Sequence, residues 1–119
     1  MAAPNIVNVT TITGKTAVQN VTTVATDIVT NSAASGKVFK VNSLVISNID
    51  GTTSADITAS LYRSSIEYKL AHTISVPADA SLVVVSKDTS VYLEEGDSVR
   101  LTASANVRLH GVCSYEEIS

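Results

Sequence analysis

A chain of 119 residues with 45% hydrophobic and only 16% charged residues has one domain's length and is far too apolar to be a disordered tail. A formal net charge of −3, with eight scattered Lys and Arg, excludes the clustered basic surface that nucleic-acid binding requires. The one cysteine, Cys113, excludes an intrachain disulfide framework.

The chain holds 17 Val, 9 Ile and 14 Thr, so 40 of 119 residues are β-branched. Such side chains are stiff at χ1 and suit a pleated sheet better than a helix. In residues 1–14, Ile6, Val7, Val9 and Ile12 are interleaved with Asn and Thr, and Gly14-Lys15 marks the end of the segment. This reads either as a first strand or as an extended arm that pairs with a neighbouring subunit, ahead of a domain over 15–119. Over 16–30, Val18, Val21 and Val24 recur every third residue, which fits neither a strand nor a full helical stripe. With five threonines against a helix, the stretch reads as two short strands or one bulged strand. Residues 31–36 are small and aperiodic, hence a loop.

From Val38 to Ile49 apolar residues fall on both parities, which predicts a strand buried on both sides or a parity switch at a bulge near Asn42-Ser43. Asp50 to Asp56 is a turn, after which Ile57, Ala59 and Leu61 alternate inward. Residues 64–67 form another connection. Leu70, His72, Ile74 and Val76 then share one face, with His72 hydrogen-bonded in the core or at its edge. Pro77 breaks the pattern because it cannot donate to a ladder. The run Leu82–Val85 reads as a central strand. Val91 and Leu93 lead to a charged tip at Glu94-Glu95-Gly96-Asp97. The last two strands point Val99, Leu101, Ala103, Val107, Leu109, Gly111 and Cys113 inward. Seven to nine strands with regular turn signals predict an all-β, single-domain antiparallel β-sandwich, jelly-roll-like or Ig-like.

Chemical sites are scarce. Thr13-Gly-Lys-Thr16 resembles the end of a phosphate-binding loop, but the glycine that motif needs at position 9 is Val9. His110 and Cys113, three apart on a strand, project to opposite faces and do not make a metal pair. The acidic clusters at 94–97 and 116–117 read as solvated charge, since exposed turns do not separate carboxylate pKa values. Asp50 and Asp56 lack the dense oxygen set calcium wants. No serine-nucleophile motif is present. We therefore expect no enzyme, no catalytic residue, no cofactor and no metal. The N-terminus has neither the basic nor the apolar region of a signal peptide, and no run approaches the ~18 apolar residues of a membrane span. The expectation is a soluble chain made in a cytoplasm, without a membrane or nucleic-acid partner.

Residues 1–9, 12–17, 44–52, 55–58, 76–84, 91–98 and 113–118 together resemble, in the same order, small virion proteins of tailed phages infecting marine bacteria, especially cyanophages. The segment 92–99 also resembles the strand–Gly-Asp–strand turn of trimeric jelly-roll domains. The resemblance implies a virion structural protein, foremost a capsid decoration (cement) protein bridging major capsid subunits. It also implies binding to the major capsid protein or another virion protein and assembly as a homo-oligomer, a trimer among the options. Ile6, Val7, Val9 and Ile12 are the candidate assembly interface. One alternative is a neck, tail or fibre-attachment component. Another is a receptor- or glycan-binding module presenting Tyr62, Arg63, Tyr68 and Lys69. With few charges and only Pro4 and Pro77, the sheet margins are poorly blocked, which favours association.

Overall fold

A computed structural model describes residues 10–119. Nine antiparallel strands are formed: β1 (Ile12–Val21), β2 (Thr26–Thr30), β3 (Val38–Asn48), β4 (Ala55–Arg63), β5 (Ile66–Val76), β6 (Ser81–Val85), β7 (Val91–Leu93), β8 (Ser98–Ala103) and β9 (Leu109–Ile118). One sheet runs β1-β9-β3-β6 with β7 also on β3, and the other runs β2-β8-β4-β5. The β-sandwich expectation holds.

The topology follows from one long hairpin. Ser64 and Ser65 both take positive φ, 52° and 64°, which is the backbone of a two-residue hairpin turn of the kind that matches strand twist. Every first pairing is then nearly symmetric about that turn. Arg63 meets Ile66, Ile46 meets Leu82, Thr26 meets Leu101 and Ile12 meets Ile118. Rolling this hairpin adds the contacts β9·β3 and β8·β4, so two sheets close over one core. That wrapping is a jelly roll rather than an immunoglobulin order.

The facing sheets bury Val41, Leu44, Ile46, Leu93, Leu109 and Cys113 against Ile57, Ala59, Val99 and Leu101. Strand β3 switches parity as its sequence requires. Phe39 and Val41 point inward, the register shifts between Val41 and Ser43, and Leu44 and Ile46 point inward after it. An asparagine sits at each end of this strand: Asn31 ahead of it and Asn48 closing it, both buried and hydrogen-bonded to backbone.

Several expectations are corrected. Gly14-Lys15 does not end a segment, because β1 continues through it to Val21. The three-residue valine spacing has a plain cause: Val18 lies on the outer face of β1, Val21 on the inner face, and Val24 in the following turn. Strand β6 is at an edge rather than central, and its Val83 is 58% exposed. Leu70, His72, Ile74 and Val76 do not share a buried face. Two register shifts and Thr73 at φ 45° break the parity of β5, leaving His72 and Ile74 exposed and Val76 buried. Val107 is in the turn before β9 at φ 62° and is exposed. The 94–97 tip is not wholly solvated, since Asp97 is buried. Only Ser64-Ser65 connects β4 to β5, with Ile66 and Glu67 already in β5.

Candidate assembly surfaces

Ile6, Val7 and Val9 lie outside the described residues. Ile12 opens β1, is 56% exposed, and pairs with Ile118, which in turn pairs with Val38. Among the described residues no strand pairs with the outer margin of β1, where Ile12 lies. Thr11 and Ser119 exchange both backbone hydrogen bonds, at 2.9 Å each. The β1·β9 register is unbroken, so hydrogen-bonded pairing recurs at every second residue. Lys15, Ala17 and Gln19 therefore turn their N–H and C=O towards β9. Ile12, Gly14, Thr16, Val18 and Asn20 turn theirs away, and no described strand takes them up.

The other margins carry the devices that natural sheets use against edge pairing. Strand β2 is five residues long with a register shift and Asp27. Strand β5 has two register shifts and the charges Glu67 and Lys69. Strand β6 is again five residues with a shift, and β7 has three residues. Strand β1 has ten residues, no bulge, no proline and one charge. That charge, Lys15, is drawn back over the sheet to Glu117 at 2.9 Å.

The two outer faces differ in chemistry. On the β2-β8-β4-β5 sheet, Arg100 donates to Asp27 at 2.9 Å and lies 3.6 Å over the Tyr62 ring. Ser60 donates to Glu67 at 2.9 Å, and Lys69 pairs with the same carboxylate. On the other sheet the pairings Val18–Val112, Val112–Val45 and Val45–Val83 place one valine on each of four strands in a row. Uncharged rows flank it: Thr16, Ser114 and Ser43 on one side, and Asn20, His110, Ser47 and Ser81 on the other.

The densest charged group ties the end of β4 to the turn before β8. Arg63 donates through Nε to Asp97 at 2.9 Å and through its second nitrogen to the other Asp97 oxygen and to Glu94. Asp97 also accepts the Glu94 N–H at 2.8 Å, and Glu95 accepts the Gly36 N–H at 3.0 Å. The open cleft here, about 380 Å³, is lined by groups already bonded to each other. Asp50 accepts from Thr52 and Thr53 within its own turn, which holds its carboxyl below the ordinary value. His110 and Cys113 do face opposite ways, and burial pushes the Cys113 thiol up to about 12. Among the described residues no group of three potential metal ligands occurs, and no helix is long and apolar enough to cross a membrane. Tyr62, Arg63, Tyr68 and Lys69 do not form one platform. Tyr62 and Lys69 fall on the outer face, Arg63 and Tyr68 on the other, and Arg100 covers the Tyr62 ring.

Three carboxylates give a pH prediction. A hydrogen bond from Lys15 lowers Glu117, one from Ser60 lowers Glu67, and those from Thr52 lower Asp50. Groups depressed in the folded state stabilise it above their ordinary values and lose that contribution as pH falls through the folded ones. The melting temperature should therefore be flat near neutrality and fall once pH drops below the ordinary 4.5 of glutamate and 3.8 of Asp50. Glu117→Gln should flatten that fall.

No protein-family model matches the chain, and no curated protein matches it. Among solved structures, a chain described under "Bacillus endospore appendages form a novel family of disulfide-linked pili" is similar in fold. The TM-score is 0.56 at 15% identity, covering 100% of this chain and 96% of that one. At that identity the likeness speaks to the fold alone.

Proposed function

We propose that this chain is a virion structural subunit, a decoration protein held on the shell by strand pairing along the free margin of β1. The carrying observation is that β1 alone among the described sheet margins is long, regular and unguarded. An added strand would meet five residues with an outward N–H and C=O, each bond contributing on the order of 1 kcal/mol net. The partner is the major capsid protein or another virion protein, with further copies of this chain beside it. The word pili in the solved neighbour's title describes an assembly, which is a reading of the same kind. The disulfide linkage in that title does not suit this chain, because Cys113 is buried between the sheets. The same margin would serve a neck or tail position. Copies spread over the shell favour decoration, and a single ring favours the neck or tail.

Proline scanning of β1 tests the reading. Thr16→Pro removes an outward donor and leaves the β9 ladder whole, so the variant should fold and fail to bind particles. Ala17→Pro removes a ladder bond and should lower stability. If folded Thr16→Pro protein is incorporated as well as the parent, the β1 margin is not the docking element.

A further inference from the structure

The valine row is a second, independent surface, and it lies on a face rather than a margin. Val18 is 74% exposed and Val112 39% exposed. The valine row and its two polar flanking rows together cover roughly 400 Å² at ordinary sheet spacings, about a third of it the valines. A line of exposed valines crossing four strands on a polar face is suited to contact with another surface. Three features say what covers it. First, the three rows hold no Lys, Arg, Asp or Glu; the nearest charges along these strands come one row further, Lys40 and Glu116 at one end and Arg108, paired with Asp50, at the other. A like copy can therefore approach without repulsion despite the net −3. Secondly, the row matches itself: a two-fold axis lying in the interface, along or across the row, sets valine against valine. It also brings the flanking hydroxyl and amide groups, which donate and accept, opposite one another. Thirdly, ridge and recess occur together. Beside the row a cleft of about 280 Å³ lies over Gly111, between Val18 and Val112 on one side and Asn20 and His110 on the other.

We infer that two copies of this chain pair face to face through the valine row about a two-fold axis along it, so that each valine meets its counterpart in the other copy. The inference does not depend on the β1 margin, which stays open at the side of such a pair. The area, roughly 800 Å² counted over both copies, is below that of ordinary stable complexes. The pair is consequently weak alone and gains strength where many copies are held side by side.

Sedimentation equilibrium of the full chain at about 0.5 mM, a concentration suited to an interface of this size, is the test. The parent should show a monomer–dimer equilibrium. Val112→Glu and Val112→Lys should each weaken it ~10-fold or more, since a charge then faces desolvation. An equimolar mixture of the two should restore it, because only a self-facing row puts the new charges together. Val18→Glu, on an exposed edge position, serves as the second variant should Val112 prove needed for folding. A parent that is monomeric throughout, or charge variants that dimerise as the parent does, would overturn the inference. So would a mixture that stays as monomeric as its components. A Gly14→Pro protein, altered at an outward donor of β1 that lies outside the three rows, should still dimerise, which separates this result from failure of the margin reading.

Discussion

Asn31→Leu should lower the folding free energy by about 3 kcal/mol, because it leaves buried carbonyls without partners. Asn31 is fully buried. Its Nδ2 donates to the carbonyl oxygens of Lys37 at 2.9 Å and Leu93 at 3.0 Å, and its Oδ1 accepts from the Ser35 hydroxyl at 2.6 Å. Its backbone N–H donates to Asp97, and its carbonyl accepts from Gly96. The side chain therefore ties the loop before β3 to the end of β7, and its backbone ties it to the turn before β8. Leucine has similar bulk and keeps the backbone bonds but none of the side-chain ones. The bond to Lys37 is part-buried and the bond to Leu93 is buried, so most of the penalty falls at Leu93. Urea unfolding should show a lower midpoint with an unchanged slope. Ser35→Ala, which removes two part-buried bonds, the one donated to Asn31 and the one accepted from the Lys37 N–H, should cost about 1–2 kcal/mol. Equal effects from the two variants would mean that the asparagine donors contribute little.

Gly111→Val should be the other severe change, at about 3 kcal/mol from overpacking. A Cβ at Gly111 would lie 2.8 Å from Leu101 Cδ1, with Ile28 and Ile46 methyls at 3.5 Å. Strand β9 lies close against the opposite sheet at this point, and a side chain there pushes the layers apart. Alanine should cost about 1–2 kcal/mol, since the Leu101 tip can turn aside only against its buried neighbours. The control is Gly14→Val in β1. Among the described residues nothing lies within 4 Å of a Cβ there, and β-branching favours the strand, so its effect should be within ~0.5 kcal/mol of neutral. Thermal melts of the three variants order them directly.

The sandwich was legible because alternation survives in most strands. Val99, Leu101 and Ala103 are buried as the pattern of β8 requires, and the Asn42-Ser43 parity switch in β3 was visible as a change of phase. Alternation fails where the backbone stops alternating. In β5 two register shifts and a left-handed Thr73 carry His72 out to solvent, and residue types there give no sign of it. An all-apolar run such as 82–85 has no phase, so it cannot separate a central strand from an edge strand whose bulge turns Val84 partly inward. The buried roles of Asn31 and Asp97 were hidden for another reason: Asn and Asp in turns are ordinarily exposed. Only the approach of two loops distant in sequence makes them structural. The valine row was equally hidden. Its four members come from strands far apart in the chain, and only the register sets Val18, Val112, Val45 and Val83 side by side. Of the arm residues, Ile12 is now placed on the free margin, while Ile6, Val7 and Val9 precede the described residues.

The central claim, that β1 is the docking margin, is tested most directly by residue-resolved hydrogen exchange on the free protein and on the particle-bound protein. In the free protein the amides of Lys15, Ala17 and Gln19 should be protected by β9, and those of Gly14, Thr16 and Val18 should exchange quickly. On the particle, Gly14, Thr16 and Val18 should become protected as well. If those three amides exchange as fast on the particle as in solution, the margin is unused and the account is wrong.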